Sequence, residues 1–144
     1  MPDPKVRIAE TDAEIQECFP VMAELRPHLR RALFVARVRK QEGEGYRLAF
    51  IARDGAVLAV AGFRILNNLA WGRFFYIDDL VTSAGERSRG LGGALLDWCL
   101  HRAAAEKCTA LHLDSGIQRR DAHRFYLERR MRIMGYHFSM DVDP

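Results

Sequence analysis

Between residues 46 and 82 the chain reads as three runs of β-forming residues separated by two short turns, an order that admits little besides an antiparallel meander. The first run covers 47–52. Asp54-Gly55 follows, two residues that tolerate the left-handed backbone of a tight hairpin. The second run, 57–65, is a near-continuous series of small and β-branched side chains, as suits a buried strand. Asn67-Asn68 marks another turn, and 73–82 contributes Phe74, Phe75, Tyr76, Ile77, Leu80 and Val81.

On either side the hydrophobic period lengthens toward that of a helix. Residues 5–9 alternate like a short strand, and Thr11-Asp12 then offers capping side chains to a helix carrying Ile15, Phe19, Met22 and Leu25. Pro27 stops it, and a second helix is predicted over 28–41, ended by Gly43-Glu44-Gly45. After the meander, Leu91, Leu95, Trp98, Cys99 and Ala103 form a helical stripe within 90–107, and a short strand at 110–114 completes a β-α-β crossover. A helix over 120–130 presents Ala122, Phe125 and Tyr126 on one face, and 131–140 is expected as a closing strand. The reading is an α/β fold, a mixed and mostly antiparallel sheet flanked by helices, in one domain over residues 1–144.

Composition narrows the classes of function. Hydrophobic residues are 49% and charged residues 28% of the chain, so it can build a core and is not disordered. No apolar run is long enough for a membrane span, and Met1-Pro2-Asp3-Pro4 lacks the charged-then-apolar order of a leader; a cytoplasmic protein without a membrane partner is expected. Cys18, Cys99 and Cys108 are odd in number and lack metal-site spacing, so neither disulfides nor a metal is expected. Arginine is dense over 26–40 and 119–132, but no nucleic-acid motif accompanies either cluster, and a phosphate-rich cofactor explains the second more economically.

The stretch Arg87, Ser88, Arg89, Gly90, Leu91, Gly92, Gly93 lies between the third strand of the meander and the helix that follows. Glycines let a backbone approach a ligand closely, and successive N–H groups at a helix N-terminus attract an anion. A dinucleotide fingerprint fails because Leu95 stands where its last glycine belongs, and the Walker pattern lacks Gly-Lys-Ser/Thr. A loop with purely structural glycines remains open on the glycines alone.

Arg-x-x-Gly-x-Gly in this position resembles motif A of the GNAT superfamily of N-acetyltransferases, and Asp121-Ala122-His123-Arg124-Phe125-Tyr126 is similar to that family's later helical segment. The resemblance extends over nearly the whole chain. It implies the GNAT fold and acetyl-CoA as cosubstrate, with Leu80, Val81 and Thr82 pairing with the pantetheine arm. It also implies that Arg87 to Gly93 hold the pyrophosphate and that Ala122 and Phe125 line the pantetheine and thiol. One departure stands out: where the family commonly has a glycine shortly after the tyrosine, this chain has Arg129-Arg130-Met131.

The same resemblance implies direct transfer to a primary amine, such as a polyamine, an amino acid or an antibiotic. Tyr126 matches the residue that protonates the departing thiolate, and Asp78 and Asp79 are the candidates for a base. A lysine-like amine is almost wholly protonated at neutral pH, its pKa being about 10.4. Strict alternation places Asp78 and Asp79 on opposite sheet faces, so one of them should meet the acceptor. Arg26, His28 and Arg30, between the early helices, are candidates for binding an acceptor carboxylate. The other readings are a catalytically silent acetyl-CoA-binding module and a protein or peptide N-acetyltransferase, and a homodimer is compatible with each.

Overall fold

The computed structural model describes residues 4–144. Met1, Pro2 and Asp3, which entered the argument about a leader, lie outside the described residues. The chain divides into two units, one ending at His112 and one beginning at Leu113.

The first unit is built on the meander. Strands β1 (Val6–Ile8), β2 (Arg47–Arg53), β3 (Ala56–Asn68) and β4 (Gly72–Thr82) pair antiparallel in sequence order, and β5 (Ala110–Leu113) follows β4 to give a mixed five-stranded sheet. Asp54 and Gly55 both adopt positive φ, 52° and 79°, as a two-residue hairpin turn requires. Alternation sends Leu48, Phe50, Val60 and Val81 to one face, where they join a core with Ile15, Phe19, Met22, Phe34 and Val38 from the early helices. On the opposite face Phe63 stacks on Phe75 and meets the edge of Trp98 from α4 (Leu91–Ala105).

The early helical region has three pieces plus a short 3-10 turn. Thr11 caps α1 (Asp12–Glu17) in a reciprocal capping box with Glu14. The single helix expected to Leu25 is split at Cys18, because Pro20 has no N–H to donate and is tolerated only in the first turn of a new helix, α2 (Phe19–Leu25). The second expected helix starts later, as a 3-10 turn over Arg31–Leu33 that leads into α3 (Phe34–Glu42).

In the second unit, α5 (Arg120–Glu128) buries Tyr126 and half-buries Ala122 and Phe125. The departure at Arg130 has a local explanation. Arg130 itself takes the left-handed conformation, φ 65°, while its N–H bonds to Leu127 C=O and the Met131 N–H to Tyr126 C=O, both at 3.0 Å. These are the two hydrogen bonds of a Schellman cap, with arginine in the place that glycine usually takes. The closing strand expected over 131–140 does not form: from Met131 onward the chain is neither helix nor strand. Alternation alone makes no strand, since its backbone groups need a neighbouring strand to satisfy them.

Candidate active site

Asp78 and Asp79 face the same way. On β3, Gly62 pairs with Asp79 and Phe63 with Ile77, which leaves Asp78 as an extra residue on β4. Such a bulge shifts the parity of the strand. Before it, Tyr76 points to the side of the early helices; after it, Asp79 and Val81 do. The expectation that strict alternation sets the two aspartates on opposite sheet faces is therefore corrected: both line one cavity of about 330 Å³.

That cavity lies between the early helices and the sheet, with Arg26, His28, Arg37, Tyr46 and Tyr76 also in its wall. Each aspartate is held by its own arginine. Arg64 donates from Nε and Nη2 to the two carboxylate oxygens of Asp78, at 3.0 and 2.9 Å. Arg26 donates from Nε to Asp79 at 2.9 Å and from Nη2 to the Asp78 carbonyl at 3.0 Å, a group belonging to the bulged residue. Tyr46 completes the set, its Oη donating to Asp79 Oδ2 at 2.9 Å. Arg26, read in the sequence as a ligand for an acceptor carboxylate, thus holds the aspartate pair; His28 is exposed at the cavity, and Arg30 is not in its wall.

Burial raises the Asp78 carboxyl above its ordinary value of 3.8, against the opposing pull of Arg64. Burial, and after it the charge of Asp79, lifts the Tyr46 phenol well above 10.0, so Tyr46 remains a neutral donor. Gly62 makes this arrangement possible. A Cβ there would stand 1.8 Å from Tyr46 Oη and 2.7 Å from Asp79 Oδ2, so only glycine leaves room for the tyrosine to pass beneath β3.

The glycine loop leaves backbone donors open at the start of α4. After the short turn Ala84–Glu86, Ser88 adopts φ 67° and Gly90 φ 81°; Gly90 then caps α4 with no side chain over the helix end. The first intrahelical bond runs from Ala94 N–H to Gly90 C=O, which leaves the N–H groups of Leu91, Gly92 and Gly93 without an acceptor inside the helix. These donors, the helix dipole and the exposed side chains of Arg87 and Arg89 fit a pyrophosphate. Glu24 of α2 anchors the approach, accepting from the Ala84 N–H at 2.9 Å. Leu80, Val81 and Thr82 end β4, paired with Ala61, Val60 and Ala59 on one side. On the other side β5, with four residues, cannot cover all eleven of β4.

Tyr126, Ala122 and Phe125 belong to α5 in the second unit. Burial raises the Tyr126 phenol above 10.0, with Arg119 acting in the opposite sense. A wider depression of about 560 Å³ runs along α5 past Arg120, Arg124 and Glu128, but it is shallow and has no buried polar group aimed into it. Among the described residues no cluster of His, Cys, Asp and Glu could hold a metal ion.

The pattern of the acetyltransferase (GNAT) family matches residues 8–131, which include the glycine loop, the aspartate pair and α5. The chain belongs to the GNAT family. An uncharacterized N-acetyltransferase of Bacillus subtilis, YhdJ, is 35% identical over 117 residues, covering 81% of this chain and 82% of that protein. An aminoalkylphosphonate N-acetyltransferase of Salmonella typhimurium is 30% identical over 95 residues, 65% of this chain and 60% of that protein. Among solved structures, a transcriptional regulator from Bacillus halodurans shares the fold with a TM-score of 0.82 at 20% identity, over 96% of this chain and 99% of that one.

Sequence reasoning missed Tyr46, Arg64, Arg37 and Gly62. Only Gly62 carried a usable signal, a glycine inside an otherwise β-branched run, which suggests a bulge or a close approach. The other three become visible only when β2, β3 and α3 are brought together.

Proposed function

We propose that this GNAT-family chain transfers the acetyl group of acetyl-CoA directly to the primary amine of a small acceptor that also carries an anionic group, of the amino-acid or aminoalkylphosphonate class. The carrying observation is the cavity, which presents two carboxylates and, at its wall, the cationic Arg37 together with His28. An ammonium group is matched to Asp78 and Asp79, and an anion to Arg37; a polyamine would leave that arginine opposed by like charge. The name of the Salmonella relative is in keeping with this class.

Acetyl-CoA supplies the activated thioester. Its pyrophosphate is assigned to the N–H groups of Leu91, Gly92 and Gly93, with Arg87, Ser88, Arg89 and Gly90 completing the loop. Leu80, Val81 and Thr82 are assigned to its pantetheine arm, a reading supported by the shortness of β5 beside β4. Ala122 and Phe125 are assigned to the thiol end. Residues 1–144 then act as one catalytic domain.

Asp78 is the proposed base, because burial raises its affinity for a proton, while Asp79 orients the ammonium group. Tyr126, kept protonated by burial, returns a proton to the thiolate. Direct attack is supported by the state of the cysteines: Cys18 and Cys99 are fully buried and their thiols are pushed up to about 12, unsuited to a covalent acyl carrier. A cytoplasmic location accords with three free cysteines, and no helix among the described residues is long and apolar enough to cross a membrane.

The test is calorimetric titration with acetyl-CoA, followed by thiol release against amino acids, aminoalkylphosphonates, polyamines and peptides. Cofactor binding with turnover confined to zwitterionic amines is expected. Turnover on polyamines alone overturns the acceptor class, binding without turnover on any amine favours the silent module, and absence of binding overturns the loop assignment.

A further inference from the structure

Arg64 lies on β3 opposite Tyr76 and diagonal to Asp78, the spacing at which a long side chain reaches across to the next strand. Alternation sends its neighbour Phe63 to the α4 face, where it stacks on Phe75, and so sends Arg64 to the side of the early helices. The Arg64 side chain is only 18% exposed. Nε and Nη2 donate to the two oxygens of Asp78, Nη2 also donates to Gln41 Oε1 of α3 at 3.2 Å, and the guanidinium carbon lies 5.5 Å from the centre of the Tyr46 ring. Arg64 is not itself in the cavity wall, whereas Gln41, Tyr46 and Asp78 are.

Each oxygen of an ionised carboxylate has two lone-pair sites, and Arg64 takes one on each, so a carboxylate held in this way still accepts from a second donor. Such a pair adds little to stability, because taking both charges out of water offsets most of their attraction. Its effect falls instead on proton affinity. Burial favours the neutral acid, and the hydrogen bonds and charge of Arg64 act against it. Among the other groups around the carboxylate, Asp79 acts with burial and Arg26 against it. Tyr46, Tyr76, His28 and Arg37 stand in the cavity wall, and Glu44 acts on Arg64.

We propose that Arg64 is a positioning residue: from behind the cavity wall it holds the Asp78 carboxylate ionised and fixed in direction, ready to accept a proton from an acceptor ammonium. The inference rests on the reading of Asp78 as the base. In that step the proton passes from nitrogen to Asp78, the N–H electron pair stays on nitrogen, and the neutral amine is the nucleophile. Gln41 keeps Arg64 in place meanwhile, since its carbonyl still accepts from Nη2 after the carboxylate has lost its charge.

NMR of the side-chain carboxyl carbon in the free protein follows Asp78 directly, its signal identified by loss in Asp78→Asn. Arg64→Met should move the titration midpoint up by about one pH unit or more, the effect of removing a cation beside a carboxylate. Arg64→Lys, which keeps the charge without the two-pronged donor set, should bring the midpoint most of the way back. Arg64→Gln takes the place of the methionine variant if circular dichroism shows that chain unfolded. The acid limb of kcat/KM, measured by thiol release from acetyl-CoA with an aminoalkylphosphonate and an amino acid as acceptors, should move up with the midpoint while acetyl-CoA affinity by calorimetry stays the same. A midpoint indifferent to the loss of Arg64 overturns the proposal whatever the activity. A midpoint that moves while the acid limb stays removes Asp78 as the base, and the role of Arg64 falls with it. Absence of thiol release in every variant, the parent included, overturns the acetyl-transfer reading and that role together, while the midpoint shows separately whether Arg64 holds Asp78 ionised.

Discussion

Adding a single methyl group at Gly62 should unsettle the candidate active site through Tyr46. The new Cβ would lie 1.8 Å from Tyr46 Oη and 2.5 Å from Cζ, distances no packing tolerates, so the ring must withdraw. Tyr46 is 3% exposed, and its hydroxyl donates at 2.9 Å to the Asp79 carboxylate, which is paired with Arg26. Losing a hydrogen bond to a charged acceptor costs about 1.5–3 kcal/mol, and forcing volume into a filled core costs about 1–3 kcal/mol. The better strand propensity of alanine returns about 0.5–1 kcal/mol. Gly62→Ala should therefore lose about 2–5 kcal/mol, a large share of the stability of a small domain. Urea unfolding followed by tryptophan fluorescence reads this directly, since Trp98 packs on Phe63, the neighbour of Gly62. In a Tyr46→Leu background the hydroxyl and Cζ are gone, and the cost of Gly62→Ala should shrink by about 2 kcal/mol, a coupling typical of residues in contact. A Gly62→Ala protein within about 0.5 kcal/mol of its parent, the range of an uneventful surface change, would refute the reasoning. So would an equal loss in both backgrounds.

Replacing Arg130 by glycine should stabilise the protein by about 1 kcal/mol, because an L side chain in the left-handed region costs about that much; an unchanged or lower urea midpoint would count against the cap. Stability should fall as pH rises above about 9. Cys18 and Cys99 ionise near 9.0 when unfolded and only at about 12 when folded, so the native state retains protons that the unfolded chain releases. Each thiol removes up to about 1.4 kcal/mol per pH unit across that window, Tyr46 adds to the loss above its ordinary 10.0, and Cys18→Ala with Cys99→Ala should flatten the slope. Tyr126→Phe is expected to lower kcat with little change in acetyl-CoA affinity by calorimetry, and unaltered turnover would remove it as the proton donor. Gly92→Glu should abolish acetyl-CoA binding in the same titration, since it sets a negative charge at the helix end proposed for the pyrophosphate.

The meander, the Asp54-Gly55 hairpin, α4 and α5 were legible in the sequence because each rests on a local period or a local backbone preference. The glycine loop was legible for the same reason: a gap between strand and helix, filled by glycines, is a property of neighbouring residues. Pro20 was a readable signal for the break between α1 and α2 that a single amphipathic stripe concealed. Arg130 marks the opposite case, in which the expected glycine is absent and the backbone adopts the glycine conformation regardless, held by two hydrogen bonds of the helix end.

By itself the sequence determined the order of the strands through β5, the helices α4 and α5, the hairpin turn and the glycine-lined start of α4, all consequences of covalent geometry acting over a few residues. Tertiary structure decided that Asp78 and Asp79 share a cavity, since the bulge that turns them the same way exists only in the register between β3 and β4. It also decided which groups hold them, because Arg26 lies 53 positions from Asp79 and Tyr46 lies 33. A buried charge is stabilised by whatever cation or donor the fold brings beside it, and no periodicity along the chain encodes a partner at that distance.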